Sequence, residues 1–336
     1  MQKQLKAAIL FFALCFPALA DLAAGQQALK NGDYATALRE FLPLAGQGNA
    51  SAQLALGVMY FRGQGLPQDV KEAAKWMRLA AEQGDAVAQT MLGAMYKEGR
   101  GVPQDNEAAV RWYCKAADQG NADAQSNLAV MYAQGQGAPQ DYAEALLWYR
   151  KAADQGNVVA QVHLGYMYAH GQGTPQDYAE ALRWYRRAAD QGNVIAQISL
   201  SLMYARGQGV PQDEAEAAHW NRKAADQGEA VAQLTLGIAY REGRGVPRDY
   251  AEAARWYRKA ADQGNTASQV SLGLMYNQGM GVPQDYVSAH MWFNLAAASG
   301  YAGAANSRDD VATKMTPEQV AEAQRLAREW KPKPSR

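Results

Sequence analysis

Residues Asp154–Asn193 read DQGNVVAQVHLGYMYAHGQGTPQDYAEALRWYRRAADQGN. The stretch opens and closes on Asp-Gln-Gly-Asn, 36 residues apart. Between the two copies lies a complete helix-turn-helix grammar. Asn157 suits an N-cap, because its side chain can accept from the free amides of a first turn. A run with helical content follows to His170, and Gly171 supplies the left-handed residue that ends a helix. Gly-Gln-Gly-Thr-Pro-Gln-Asp makes the turn. Asp177, with Glu180 three residues on, has the spacing of a capping box for a second helix. That helix runs through Trp184 to Gly192, and the cycle restarts at Asn193.

The same phrase fills most of the chain. Gln-Gly recurs at Gln47, Gln83, Gln119, Gln155, Gln191, Gln227 and Gln263, with Ser299-Gly300 as an eighth variant. The tryptophans Trp76, Trp112, Trp148, Trp184, Trp220, Trp256 and Trp292 keep the same step, without an insertion. Seven copies therefore span 49–300. In the first helix Ala160, Leu164 and Met167 form one apolar stripe, and in the second Ala181, Trp184 and Ala188 face it. A buried Trp removes roughly 150–250 Å² from water, more than one helix pair can cover. Each pair must then stack on the next, which predicts an all-α, right-handed α/α superhelical solenoid. Residues 21–48 read as an N-terminal helix pair with a shortened turn. Residues 301–331 read as C-terminal capping helices, with Thr316 as N-cap, Pro317 at the first helical position and Gln319 completing a box. Residues 332–336 read as a frayed tail.

Residues 1–20 differ in kind. Lys3 and Lys6 precede an apolar run from Ala7 to Phe16 and an Ala18-Leu19-Ala20 site, the layout of a cleaved signal peptide. Export to the periplasm or the exterior is expected, with the mature chain starting at Asp21. The full chain has 33 basic and 33 acidic residues. Losing the leader leaves it about two charges negative, which argues against a nucleic-acid partner. No integral membrane segment is expected in the mature chain. Cys114 is then the only thiol, so the fold has no internal disulfide.

The pattern A-x-A-Q-x-x-L-G-x-M-Y, then G-x-G-x-P-Q-D, then A-x-x-W-Y-R-K-A-A-D-Q-G resembles the Sel-one-like repeat family, a branch of the tetratricopeptide-like superhelices. The closing MTPEQVAEAQRLAREW is similar to the C-terminal cap of exported bacterial members. The resemblance implies a non-catalytic adaptor that binds other proteins. Bacterial members act in envelope signalling, polysaccharide export, and attachment to or entry into host cells. One branch binds or slowly hydrolyses penicillins and carries a cysteine pair in each repeat, which this sequence lacks.

No catalytic signature stands out. There is no Ser-x-x-Lys, G-x-S-x-G, H-E-x-x-H or C-x-x-C. The Gly-x-Gly turns lack the Lys-Ser/Thr of a phosphate loop. His163 and His170 are seven residues apart, roughly 10 Å along a helix, with no third ligand, so no metal or cofactor is expected. His219 is expected to be solvated, and His290 half-buried near the C-terminal cap. The Arg- and Lys-rich edge of the second helices, such as Arg150, Lys151, Arg186 and Arg187, reads as a solvated outer face. Cys114 replaces an Arg on it.

Positions that vary between copies while facing one way can form a binding surface. In the fourth copy these are Val159, His163, Tyr166 and His170, on one stripe of the first helix. One column reads Ala55, Met91, Asn127, His163, Ser199, Thr235 and Ser271. Another reads Arg62, Glu98, Gln134, His170, Arg206, Glu242 and Gln278. The expected site is a strip on the concave side holding a peptide or protein segment. Arg62, Glu98, Asn127, Gln134, His163, Tyr166, His170, Arg206, Thr235, Glu242 and Gln278 are its candidate contacts, with Tyr166 as aromatic anchor. Peptidoglycan or glycan binding on the same strip is the alternative, with weak β-lactam hydrolysis a further one by analogy to the family.

Overall fold

The computed structural model describes residues 20–333; the expected leader lies outside them except for Ala20, as do the last three residues. Eighteen α-helices and no strands occur among the described residues. In chain order α1 is Leu22–Lys30, α2 Tyr34–Gly46, α3 Ala50–Arg62, α4 Val70–Glu82, α5 Ala86–Glu98 and α6 Asn106–Asp118. Then come α7 Ala122–Gln134, α8 Tyr142–Asp154, α9 Val158–His170, α10 Tyr178–Asp190, α11 Val194–Arg206 and α12 Glu214–Asp226. The last are α13 Ala230–Glu242, α14 Tyr250–Asp262, α15 Thr266–Gln278, α16 Tyr286–Ala298, α17 Ala304–Ala312 and α18 Pro317–Glu329. The chain is an all-α solenoid of helix-turn-helix repeats. It divides into two compact units, one reaching Met167 and including Gly171–Pro175, the other holding Tyr168–His170 and the chain from Gln176 onward.

Each helix end is closed as its sequence dictates. Asn157 accepts from the Ala160 amide, and Gly171 takes φ 67°. At the second helix Asp177 accepts from the amides of Ala179 and Glu180. The reciprocal half of the expected capping box is absent there, because the Glu180 carboxylate pairs with Arg183 instead. The full box does form at Thr316 and Gln319. The Gln of Pro-Gln-Asp has its own task. Gln104 donates to the Lys97 carbonyl at 2.9 Å and so satisfies an orphan acceptor at the end of α5.

Two contacts explain the glycine pattern. A Cβ on Gly93, within α5, would meet the Tyr113 ring at 2.8 Å, so the ring of α6 packs directly on helix backbone. Gly101 has φ 75°, and a Cβ there would overlap the Val70 carbonyl of the preceding repeat. The turn can therefore touch its neighbour only as glycine.

The repeats interlock through three columns. Trp76 packs against the buried cluster that includes Ala45, Ala52 and Leu56, contributed by α1, α2 and α3. Trp256 does the same on Ala224, Ala232 and Leu236. Each such ring supplies about 5 kcal/mol of gross burial. The second column is a ladder of buried amides. Gln89 is buried, donates to the Ala81 carbonyl at 3.0 Å and accepts from Gln119 at 2.8 Å. Gln83–Gln53 and Gln155–Gln125 repeat this in the first unit, and Gln227–Gln197 and Gln263–Gln233 in the second. The recurring Gln of Asp-Gln-Gly-Asn is thus the rung that joins one repeat to the amide before it.

The third column lies on the outer edge, where Arg150, Lys151, Arg186 and Arg187 are exposed as expected but the cations also meet aromatic rings. The Lys151 ammonium lies 3.8 Å from the Trp148 ring centroid, and Lys115, Lys223 and Lys259 sit likewise on Trp112, Trp220 and Trp256. Arg78 donates to the Tyr96 hydroxyl of the next repeat at 2.6 Å. Arg186 likewise donates to the Tyr204 hydroxyl and lies 5.4 Å from the Trp220 ring. The lysines cover the tryptophans of their own helices, and the arginines clamp successive repeats.

The array ends by changing its chemistry. Ser299 stands where a rung Gln would be, and the Gln269 Oε1 atom is buried without a partner. Trp330 packs edge-on to Trp292 at 6.3 Å between ring centroids. The segment read as frayed is tied down as far as Lys333, whose amide donates to the Asp262 carbonyl at 2.7 Å and whose ammonium meets the Asp262 carboxylate at 2.8 Å. His290 is fully buried rather than half-buried. Burial first, then the Arg308 guanidinium of α17, holds its imidazole below the ordinary value, while Asp309 opposes them.

The ladder predicts that Gln119→Ala, which strands the Gln89 acceptor, lowers stability by about 1–3 kcal/mol. Ser299→Gln, which adds the missing rung, should raise it by about 1 kcal/mol. Urea unfolding of the two variants checks both signs. A second expectation concerns pH. A buried imidazole with a lowered pKa leaves stability intact above the unfolded value, near 6.5, and loses it as pH falls below. His290→Ala, with the residue its column holds at Ala218 and Ala254, should flatten the fall in melting temperature between about pH 7 and pH 5.

Candidate functional site

The first helices carry the variable face, and their neighbours approach at both ends. In the first unit Asn157, at the start of α9, donates to Asp123 of α7 at 2.9 Å. The Arg100 guanidinium, in the turn after α5, lies 4.4 Å from the Phe61 ring of α3. In the second unit Gln227 donates to the Gly192 carbonyl at 3.0 Å, joining the approaches to α13 and α11. The varying side chains of adjacent repeats therefore form rows.

The candidate residues fall mainly on exposed ground. Arg62, Glu98, Gln134, His163 and Tyr166 are exposed in the first unit, and Asn127 is half-buried. His170, Arg206, Thr235, Glu242 and Gln278 are exposed in the second. Their bonding states differ. Glu98 pairs with Arg100 at 3.5 Å. Glu242 pairs with Arg241 at 2.6 Å and also with Arg244, and the Arg241 bond leads the causes that hold its carboxyl below the usual range. The Thr235 hydroxyl donates to the Val231 carbonyl of its own helix at 2.9 Å, which leaves only its acceptor side for a ligand. His163 is open to solvent at its edge while one face stacks on Tyr149, with centroids 4.9 Å apart and planes 17° from parallel. Packing on that side lowers its pKa, so at neutral pH it offers an uncharged imidazole.

Apolar side chains lie exposed on the same helices. Val87, Val159 and Tyr166 are exposed in the first unit, and Ile195, Leu202 and Val231 in the second. Ile195 keeps 62% of its surface open. The column of Val58, Ala94, Val130, Tyr166, Leu202, Ile238 and Leu274 is therefore open at Tyr166 and Leu202 and half-buried elsewhere.

Two features escaped the reading of single columns. The order Arg62, Glu98, Gln134 recurs four repeats on as Arg206, Glu242, Gln278. Around it, Lys97-Glu98-Gly99-Arg100 matches Arg241-Glu242-Gly243-Arg244. Comparing repeats four apart, rather than adjacent ones, reveals it. The second feature is a cavity of about 140 Å³ lined by Phe61, Met77, Met91, Ala94, Met95, Glu98 and Arg100. Its signal was Met77, which breaks a column otherwise filled by Tyr113, Tyr149, Tyr185, Tyr257 and Phe293 apart from Asn221.

Among the described residues no group of three or more His, Cys, Asp or Glu side chains comes together as metal ligands. No helix among them is long and apolar enough to cross a membrane.

The Sel1 repeat model matches seven consecutive segments, 50–85, 86–121, 122–157, 158–193, 194–229, 230–265 and 266–301. The chain belongs to the Sel1 repeat family. It is similar to a solved Sel1 repeat protein from Oxalobacter formigenes, at 36% identity over 92% of this chain and 91% of that one, with a TM-score of 0.72. It is also similar to c5321, a protective antigen of uropathogenic Escherichia coli with an SLR fold, at 34% identity over 88% and 79% of the two chains and a TM-score of 0.44. An immunity protein, Pa5087 from Pseudomonas aeruginosa, is 22% identical over 65% of this chain and 83% of its own, with a TM-score of 0.35. No curated protein matches the chain. Repeats of this family are scaffolds of a kind suited to protein–protein interaction.

Cys114 fills the place of the clamping Arg in the second repeat and packs half-buried against the cluster that includes Tyr132 and Trp148. Burial, and then Asp118, raise its thiol pKa, which keeps it protonated and slow to react. Cys114→Arg should restore the clamp and add about 0.5–1 kcal/mol to stability, read as a higher melting temperature. Native wild-type protein should react with a thiol-specific chromogen far more slowly than the unfolded chain.

Proposed function

We propose that this Sel1 repeat protein is an exported, non-catalytic scaffold that holds a segment of another protein against the variable faces of its first helices. The observation that carries this reading is the division of labour between columns. The side chains that make the ladder, the tryptophan stack and the cation clamps recur from repeat to repeat. The exposed faces of α5, α7, α9, α11 and α13 are where the repeats differ, and all but α7 carry an open large apolar side chain beside polar ones. Exposed Val, Ile, Leu and Tyr in rows suit an extended or helical segment, and the flanking Arg, Glu and Gln column can set its register. Export rests on the leader-like residues 1–20. An envelope or host-surface protein is then the class of partner the scaffold meets.

The test is affinity capture by the chain from Asp21 to Arg336, using envelope extract of its own cell. A variant with His163, Tyr166, His170 and Arg206 all changed to Ala is run beside it. A partner held by the wild type should be reduced at least tenfold in the variant, with circular dichroism unchanged. Equal capture by both would place binding away from the variable faces.

A further inference from the structure

We propose that the cavity between the first and second repeats is a socket for an aromatic side chain presented by an acidic segment of the partner. This rests on the reading of the first-helix face as the docking surface, and it names one pocket and one ligand chemistry within it.

The cavity exists because of a departure from the repeat. In the third repeat Tyr149 lies in the column of Met77 and reaches forward to stack on His163 of the next first helix. Met77 is the equivalent side chain of the first repeat and Met91 the equivalent of His163. A thioether chain replaces the ring there; Met77 is fully buried and lines the inner side of the cavity, and Ala94 is the smallest residue of its column. The resulting volume of about 140 Å³ is close to that of a cavity known to admit benzene. Its walls are Phe61 and three methionines, which adapt to an entering ring and make favourable sulfur–aromatic contacts.

The rim sets the charge. Arg100 is held over the Phe61 ring, so its guanidinium is preorganised beside the opening. Its one acid partner is Glu98, at 3.5 Å and exposed. Arg62 and Lys97 adjoin Phe61 and Glu98 in sequence without lining the cavity, so Arg100 is the base of the rim itself. A ring flanked by carboxylates satisfies both the walls and the rim, with Arg100 able to take a carboxylate in two parallel hydrogen bonds. The second unit supplies an internal control. There the rim repeats as Glu242 and Arg244, but Phe61, Met91, Ala94 and Met95 are replaced by Ala205, Thr235, Ile238 and Ala239. In place of Met77 stands Asn221, whose amide donates to the Ala232 carbonyl at 2.8 Å. The charges recur without the apolar socket.

The experiment follows methionine methyl resonances by NMR in the chain from Asp21 to Arg336 during titration with acetyl-Glu-Phe-Glu-amide. Acetyl-Glu-Ala-Glu-amide and acetyl-Lys-Phe-Lys-amide are compared. The Phe peptide with acidic flanks should shift the methyls of Met77, Met91 and Met95 selectively through the ring current. The Ala peptide should shift none of them, and the Lys-flanked peptide should bind at least tenfold more weakly. Ala94→Ile, which places in the socket the residue found at Ile238, should abolish the shifts. Arg100→Gln, the residue of Gln64 and Gln136, should weaken binding about tenfold, whereas Arg244→Gln should leave it unchanged. All three substitutions use residues found at the same place in other repeats, which favours retained folding. Absence of selective shifts, or shifts that survive Ala94→Ile, would overturn the socket. Equal affinity for acidic and basic flanks would overturn the ligand chemistry. The readout does not depend on partner capture, so failure of the scaffold reading and failure of the socket are separately visible.

Discussion

The structure depends on a buried amide finding the same partner every repeat. Gln89 has one donor committed to the Ala81 carbonyl and its oxygen committed to Gln119 of the second helix that follows. Burying a primary amide without such partners costs on the order of 1–3 kcal/mol. The penalty recurs at Gln53, Gln125, Gln197 and Gln233, each with its own rung. An inserted residue would shift a rung by about 100° around its helix and strand the amide behind it. This explains why seven copies keep one step without an insertion, although exposed turns usually tolerate length changes.

Local chemistry was legible from the letters. Asn157, Gly171 and Thr316 act within a few residues of themselves, so N-cap, left-handed closure and capping box follow from sequence alone. The core stripe of Ala160, Leu164 and Met167 was equally readable, since its period is that of the helix. Partners that meet across repeats were not. Gln119 and Gln89 are 30 residues apart, and nothing in either neighbourhood announces the bond. Arg186 and Lys151 read as solvated and are exposed, but the sequence did not show that their charged heads also meet Tyr204 and Trp148. Glu180 had the spacing of a box residue but also a cation three residues on, and Arg183 won the carboxylate.

The candidate site was legible as a face and not as a pocket. Helical spacing alone places His163, Tyr166 and His170 on one side. It cannot say that Tyr149 lies under His163, or that the equivalent place under Met91 is open. That knowledge requires pairing a second helix with the next first helix. Once the pairing is known, the sequence becomes informative again, because a break in an otherwise aromatic column marks where volume is missing. A repeat protein thus records its special sites as exceptions to its own rule.

The same logic distinguishes departures that fill space from those that leave it. Asn221 breaks the aromatic column too, but its amide is bonded to the Ala232 carbonyl, so a polar group replaces the ring and is satisfied. His290 breaks an aliphatic column at the last repeat, where α17 rather than another repeat covers it, and its Nδ1 atom lacks a partner. Cys114 breaks the arginine column and packs half-buried against the same core cluster as Tyr132 and Trp148. Of these departures only Met77 lines the cavity, with walls that can move and fixed charges at the mouth. A buried imidazole and a packed thiol resist a ligand, since each would have to be displaced. The space beside the held Arg100 guanidinium, lined by buried Met77 and half-buried Met91, holds no such group that a ligand would have to displace.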